Sequence, residues 1–368
     1  MGPGRTNPDL IQSRYLSMVK SEHGESRYII IGAGAVGCAV GGLLVKAGRR
    51  VVLIARPAIA NAVRTGFTVR LGTSETQVTA PAVTALSELE PLPGDVVVLT
   101  MKSQGTELAL QQVSEVYGSD TPIVCLQNGV FNEEATSRQF INVYGGFLFL
   151  FAVQLRPELV TLPLGNTIAI GLYPKGSEPT AARFVRDLAR AGFDAFESEH
   201  ILALKWAKLV ANLNNATQAI TGYWMERSMS DCEMRELMFA VREEGLRVLD
   251  AAGIAVEPPA GHRDPNRIRE TTLALKRPPS KSLEESLSLP PDRRSYSSLL
   301  QDFYNGRKST EVRYLNGEIV ALGAKLGIAT PYNTLLMETV ERMSAEGLEP
   351  GVYTPRELSS IAKGKTLG

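Results

Sequence analysis

The feature that most constrains this fold is a cluster of three glycines, Gly32, Gly34 and Gly37, set between two apolar segments. Three isoleucines precede the cluster, and a stretch with apolar residues at helical spacing follows it over residues 38–47. A second strand-like run covers residues 50–55. This order of strand, glycine turn, helix and strand predicts the first βαβ unit of an α/β fold with a doubly wound, Rossmann-type sheet.

The same glycines have the spacing of a dinucleotide-binding turn. Gly32 permits a tight turn, Gly34 lets a pyrophosphate approach the backbone, and Gly37 lets helix and strand pack closely. The helix N-terminus then offers N–H groups and the positive end of its dipole to the phosphates. A purely structural turn is the alternative, but the flanking strand and helix favour binding. The predicted cofactor contacts are Gly32, Ala33, Gly34, Ala35, Val36 and Gly37.

The end of the second predicted strand indicates which dinucleotide binds. A fold that binds NAD usually places an acidic residue there to hold the ribose 2′-hydroxyl, whereas this chain has Arg56. A cation suits a 2′-phosphate, and a carboxylate would repel one. The sequence therefore predicts NADP(H), with an ordinary surface arginine as the alternative.

Two further strands are predicted to end in polar residues. Residues 95–100 form a continuous apolar run that leads to Lys102, and residues 122–126 lead to Asn128. Ligands of open α/β sheets bind beyond the carboxyl ends of the strands. We therefore expect Lys102 and Asn128 to contact cofactor or substrate, although each could instead be a polar residue that caps a loop.

Composition excludes several classes of function. Lys and Arg number 39, as do Asp and Glu, so no basic excess indicates nucleic acid or an anionic membrane. No apolar run is long enough to span a bilayer. The three cysteines are scattered and the three histidines lie far apart, so we expect no metal site and a reducing, cytoplasmic setting.

The chain divides into two predicted domains. Residues 1–26 are polar and predict a disordered extension, and residues 27–197 predict the NADP-binding domain, with further strands at 144–155 and 167–171. Strand patterns then stop, and residues 198–368 predict a helical domain. A Pro-rich insertion at 255–294 interrupts the helices and is interpreted as either a flexible lid or a surface decoration.

The first helix of the second domain, predicted over residues 200–220, carries a polar stripe. Lys208 and Asn212 lie four residues apart and share a face, and Asn215 lies near it. Such a stripe is either a pocket wall or a solvated surface. A later polar cluster includes Ser298 and ends at Glu311, which either caps a helix or serves the site.

These pieces together resemble the ketopantoate reductase (2-dehydropantoate 2-reductase) family. The resemblance covers about residues 27–345 and rests on the glycine turn, Arg56, Lys102 and six further motifs. They are Leu126-Gln127-Asn128-Gly129, Trp206-Ala207-Lys208-Leu209 with Asn212, Ser297-Ser298-Leu299-Leu300-Gln301-Asp302, Gly306-Arg307, Thr310-Glu311 and Tyr314-Leu315-Asn316-Gly317.

The resemblance implies that NADPH reduces a small 2-oxo acid, as in the conversion of 2-dehydropantoate to pantoate. It implies that Lys208 is the general acid on the carbonyl oxygen, that Asn212 and Ser298 bind substrate, and that Glu311 supports the pocket. It also implies that Lys102 and Asn128 orient nicotinamide and substrate, and that the protein is a homodimer. A lysine suits this chemistry because its ammonium both stabilises an oxyanion and donates a proton.

The sequence departs from the family pattern near the substrate residues. Where the family has a second asparagine this chain has Ala216, with Asn215 one position earlier, and the spacing from Ser298 to Glu311 is one residue longer than usual. Loss of that amide predicts that ketopantoate is a poorer substrate than a less polar 2-oxo acid, unless Asn215 restores the contact. A reductase of a bulkier ketone and a non-catalytic NADP-binding redox sensor are the alternative functions.

Overall fold

The computed structural model describes residues 26–279, 286–288, 290, 294–307 and 310–366. The predicted extension at 1–26 thus lies, apart from Ser26, outside the described residues, as does part of the 255–294 insertion. The chain forms two compact units that divide between Leu202 and Ala203.

A mixed sheet organises the first unit. In the described residues its strands are β1 (Arg27–Ile31), β2 (Arg50–Ile54), β3 (Phe67–Leu71), β4 (Ser74–Val78), β5 (Ala82–Val83), β6 (Asp95–Leu99), β7 (Ile123–Cys125), β8 (Val143–Arg156), β9 (Leu159–Leu172) and β10 (Asp194–Glu197). The order β8-β7-β6-β1-β2-β5 is parallel throughout, and it is the strand order of a doubly wound dinucleotide-binding sheet. Beyond β8, β9 pairs with β8 in the antiparallel direction. β9 also pairs in parallel with β3 and with β10, and β3 pairs antiparallel with β4. The predicted fold class is confirmed.

Alternating residues of the central strand β1 build cores on both faces of this sheet. Tyr28 and Ile30 belong to one core and Ile29 to the other, and all three are buried. A strand covered on both faces needs apolar residues at every position, which explains its continuous hydrophobic run. The helices of this unit are α1 (Ala35–Lys46), α2 (Pro57–Thr65), α3 (Thr106–Val116), α4 (Phe131–Ser137) and α5 (Pro179–Arg190).

The long β8–β9 hairpin extends further than its sequence indicates. Sequence patterns predict the second strand only over residues 167–171, whereas β9 begins at Leu159. Pro163 and Gly165 fall inside the missed part, and both residues are typical of loops. The pairing with β8 accommodates them through register shifts near Phe149 and Phe151. Because the pairing is bulged, this part of β9 does not show the regular alternation of polar and apolar residues by which a strand is predicted.

The second unit is helical, as predicted. Its elements are α6 (Ile201–Asn212), which crosses the division between the units, α7 (Asn214–Thr221), α8 (Met225–Ser230), α9 (Cys232–Ala251), α10 (Ile268–Leu273), α11 (Ser298–Tyr304), α12 (Asn316–Leu326), α13 (Pro331–Glu346) and α14 (Pro355–Thr366). None of the described helices is long and apolar enough to cross a membrane. The helix predicted over residues 200–220 is observed as two helices, α6 and α7, which divide at Leu213.

Candidate functional site

The glycine turn lies between β1 and α1 and packs against the end of β6. Gly32 has φ +98°, and a Cβ there would come within 2.5 Å of the Met101 amide nitrogen. A Cβ at Gly37 would lie 2.5 Å from the Gly32 carbonyl oxygen and 2.6 Å from Thr100 Oγ1. That hydroxyl donates to the Gly32 carbonyl at 2.8 Å. Any side chain at Gly32 or Gly37 would therefore displace the backbone of the turn.

Gly34 differs from these two glycines because its surroundings are open. A Cβ at this position would meet only the Gly32 carbonyl oxygen, at 4.0 Å. Gly34 is also the N-cap of α1, and the first turn of that helix carries neither a capping side-chain bond nor an acidic residue. Open space in front of a helix N-terminus is the environment that a pyrophosphate requires. The turn therefore fits a dinucleotide.

Arg56 follows β2 and is exposed. It is the N-cap of α2, whose first residue is Pro57, and its carbonyl accepts a hydrogen bond from the Ala60 amide at 2.9 Å. Arg56 is thus the residue at the N-terminus of a helix, where the helix dipole favours a bound anion. This position at the end of the second strand fits the 2′-phosphate expected from the sequence.

Hydrogen bonds lock together the loops after β6 and β7, which carry Lys102 and Asn128. Asn132 Nδ2 donates to the Asn128 carbonyl at 3.0 Å and to Ser103 Oγ at 3.1 Å. Thr106 Oγ1 donates to Asn132 Oδ1 at 2.7 Å. Since Ser103, Thr106 and Asn132 are buried, the network holds both loops in one arrangement.

The sequence patterns did not single out these three supporting residues. A usable signal was present, because each lies within a few residues of a predicted strand end that carries a site residue. Lys102 and Asn128 themselves are half-buried at two adjacent strand ends, where they were predicted.

In the second unit, Lys208 lies on α6 and Asn212 follows one helical turn later, so both occupy one side of the helix. Lys208 is half-buried. Burial lowers the pKa of its ammonium to about 8, because a low-dielectric environment disfavours the charged form. A lysine in this state is still mostly protonated at neutral pH and releases its proton more readily than an exposed lysine.

The interruption at Leu213 is stabilised by side chains from distant parts of the unit. Arg242 Nη2 donates to the Ala211 carbonyl at 3.3 Å, and Asn316 Nδ2 donates to the Leu213 carbonyl at 3.2 Å. Asn316 is in turn bonded to Asn333 Oδ1 at 2.9 Å. The Leu213 carbonyl also accepts from the Ala216 amide at 3.4 Å, so these side chains add donors where the helix is irregular.

Of positions 215 and 216, it is Asn215 that lies beside a predicted substrate residue. Ala216 is fully buried in the core, whereas Asn215 is half-buried and its Nδ2 lies 3.4 Å from the exposed Ser298 Oγ. Ser297 is the N-cap of α11 and accepts from the Leu300 amide. The structure therefore brings Asn215 and Ser298 together, which supports the view that Asn215 supplies the amide missing at position 216.

Glu311 is half-buried and lies at the start of a short 3₁₀ turn, Val312–Tyr314, which precedes α12. Its carbonyl accepts from the Tyr314 amide at 2.9 Å. The following helix α12 begins only at Asn316 and its N-cap is Leu315, so Glu311 does not cap it. The role of the Glu311 carboxylate in the pocket stays a prediction.

Comparison with known proteins places these features in a family. The N-terminal family model of ketopantoate reductase PanE/ApbA matches residues 28–175, and the C-terminal model of the same family matches residues 200–344. The chain belongs to the ketopantoate reductase family. The resemblance in the glycine turn and the Lys208 helix is thereby confirmed at the level of the whole chain.

Individual relatives agree with this assignment. A 2-dehydropantoate 2-reductase of Pyrococcus horikoshii is 28% identical over 319 residues, which are 86% of this chain and 97% of that protein. A ketopantoate reductase family structure from Ralstonia eutropha is 27% identical with a TM-score of 0.72, covering 87% of this chain and 99% of that one. D-mandelate dehydrogenase, solved with NADH and anilino(oxo)acetate, shares the fold at 24% identity and a TM-score of 0.72, with coverage of 87% and 99%.

Membership of the ketopantoate reductase family supports an oxidoreductase that acts on 2-oxo acids. Together with the glycine turn, it supports a nicotinamide dinucleotide as the cofactor.

Proposed function

We propose that this chain catalyses NADPH-dependent reduction of a small 2-oxo acid of the ketopantoate type to the 2-hydroxy acid. The observation that carries the proposal is Lys208, a lysine whose pKa burial lowers to about 8 and which lies one turn before Asn212. Its ammonium is charged at neutral pH and can donate a proton. A reductase requires such a proton donor, whereas a non-catalytic NADP-binding sensor does not.

The cofactor, when bound, supplies the hydride. The chain contributes its placement, since the open face at Gly34 and the N-terminus of α1 receive the pyrophosphate. Arg56 receives the 2′-phosphate and makes NADPH preferred over NADH. Lys102 and Asn128, on loops locked by buried hydrogen bonds, orient nicotinamide and substrate.

The proton and the negative charge are handled by Lys208. Arrival of a hydride at the carbonyl carbon moves the C=O electron pair onto oxygen, and Lys208 Nζ donates a proton to that oxygen. One hydride and one proton convert the 2-oxo acid into the 2-hydroxy acid. The ammonium also stabilises the developing oxyanion before the proton moves.

The remaining predicted residues bind the substrate. Asn212 follows Lys208 on α6, and the Asn215–Ser298 pair offers an amide and a hydroxyl that can bond a polar group at the distal end of the substrate. Glu311 supports the pocket. We expect the assembled protein to be a homodimer, which its molar mass in solution tests.

The deciding experiment follows NADPH oxidation with ketopantoate, 2-oxoisovalerate and phenylglyoxylate. Turnover of ketopantoate with the highest kcat/KM supports the proposal. Faster turnover of phenylglyoxylate would instead show a reductase of bulkier ketones. Binding of NADPH without turnover of any substrate would indicate a redox sensor and refute catalysis.

A further inference from the structure

Arg242, on α9, is a half-buried cation that the reaction described above does not use. Its Nη2 donates to the Ala211 carbonyl at 3.3 Å. Its Nε is buried and has no hydrogen-bond acceptor among the described residues. Burial lowers the pKa of the guanidinium to about 10. The group is thus partly withdrawn from water, with only part of its donor capacity satisfied.

The acidic residues beside Arg242 in the sequence do not neutralise it. Glu244 is buried, and its carboxylate accepts from the Asn333 amide and side chain, both at 2.8 Å, and from the Tyr332 amide at 3.1 Å. Glu243 is exposed. In the described part of the chain, no carboxylate forms an ion pair with Arg242. A partly buried charge without a counter-ion costs free energy, so its retention requires an explanation.

Capping the break at Leu213 is not a sufficient explanation. The neighbouring Leu213 carbonyl is bonded by Asn316, a neutral amide that carries no charge to bury. A neutral donor could serve Ala211 in the same way. The positive charge of Arg242 is therefore the property that remains unexplained.

The location of the guanidinium connects it to the predicted site. Its carbonyl partner Ala211 lies on α6 between Lys208 and Asn212, three residues after the first and one before the second. A guanidinium has five donors in a planar fork, and a carboxylate can accept two of them side by side. Every 2-oxo acid has such a carboxylate next to the carbonyl that Lys208 protonates.

We propose that Arg242 binds the carboxylate of the 2-oxo acid and so selects acids over uncharged ketones. The proposal rests on the proposed function and adds a specificity residue to it. An incoming carboxylate provides the missing counter-ion and an acceptor for Nε–H. Arg242 then binds the carboxylate of the substrate, and Lys208 donates its proton to the carbonyl oxygen.

The test compares a 2-oxo acid with its methyl ester in the unaltered enzyme and in Arg242→Met, using NADPH oxidation. We expect kcat/KM for the acid to fall about 10- to 150-fold, the usual range for losing a charged hydrogen bond, and that for the ester to stay within about threefold. Arg242→Lys should recover part of the loss, because it restores the charge without the fork. Equal losses for acid and ester would show a structural role and overturn the proposal.

A matched control comes from the same helix. Arg247 is exposed, and it also donates to a backbone carbonyl, that of Ala329, at 2.9 Å. Arg247→Met removes a guanidinium with the same kind of backbone contact, and it should leave the acid-to-ester ratio unchanged. A similar change of that ratio in Arg247→Met would contradict a specific role for Arg242.

Binding of oxamate, followed by tryptophan fluorescence in the presence of NADPH, separates this proposal from the proposed function. Oxamate carries the carboxylate and a carbonyl but is not reduced. It should bind the unaltered protein and lose at least about tenfold in affinity in Arg242→Met, whether or not any 2-oxo acid is turned over. Absence of oxamate binding, or equal competition by inorganic sulfate, would overturn a carboxylate site.

Discussion

The lowered pKa of Lys208 gives a quantitative test of its role as the general acid. With a pKa of about 8, the ammonium is about nine-tenths protonated at pH 7 and about one-tenth at pH 9. If protonated Lys208 is required, kcat/KM for reduction should fall about tenfold between these values. A lysine with its ordinary pKa of 10.5 would lose less than about a tenth of its charged form over the same interval.

The assay measures initial rates of NADPH oxidation at low substrate concentration from about pH 6 to about pH 10, because kcat/KM reports the pKa of the free enzyme. Lys208→Ala should lower kcat by about 10²- to 10⁴-fold and remove the fall of kcat/KM at high pH. Lys208→Arg should also remove this fall up to about pH 9, because a guanidinium stays mostly charged there even with a pKa lowered to about 10, as burial does for Arg242. Buried Cys38 does not titrate in this range, because burial raises its pKa to about 12.

A flat profile between pH 7 and pH 9 in the unaltered enzyme would refute the assignment of Lys208 as the acid. Persistence of the fall in kcat/KM in Lys208→Arg would show that another group titrates.

The pH dependence of protein stability tests the lowered pKa of Lys208 independently of activity. Between the folded pKa of about 8 and the ordinary value of 10.5, the unfolded state binds more protons, so the contribution of Lys208 to the free energy of unfolding rises with pH. Lys208→Met should therefore be inactive yet at least as stable as the unaltered protein at pH 7.

Three further predictions concern the cofactor and the substrate. Arg56→Ala should remove most of the preference for NADPH by weakening its binding free energy by about 1.5–3 kcal/mol. Equal affinities of the unaltered protein for NADPH and NADH would contradict this prediction. Gly34→Ala should fold normally and bind NADPH about tenfold or more weakly, while Gly37→Ala should lower the melting temperature; unchanged cofactor affinity in Gly34→Ala would show that the pyrophosphate lies elsewhere. Asn215→Ala should reduce the preference for ketopantoate over 2-oxoisovalerate by about 2- to 12-fold in kcat/KM, and an unchanged ratio would exclude a contact with the distal hydroxyl.

The parts of the site that sequence predicted are those set by local chemistry. The turn from Gly32 to Gly37 depends on which residues lack a Cβ, and the glycine spacing indicates this without the neighbours Met101 and Thr100, which follow β6. Lys102 and Asn128 were placed correctly at strand ends because parallel strands bring those ends to one edge of the sheet. These inferences needed only periodicity and glycine spacing.

The parts that escaped prediction depend on contacts between residues far apart in the chain. The break at Leu213 is stabilised by Arg242, 31 residues from its partner Ala211, and by Asn316, 103 residues from Leu213. Helical periodicity across residues 200–220 contains no trace of either donor. The first half of β9 was missed for a different reason. Pro163 is atypical of a strand, but the bulged pairing with β8 accommodates it.

The interruption at Leu213 also ties α6 to two distant helices of the unit. The Ala211 carbonyl accepts from Arg242 on α9, and the Leu213 carbonyl accepts from Asn316 on α12. A substitution of Asn316 would therefore act on the backbone where α6 meets α7 without touching a side chain of the predicted substrate pocket.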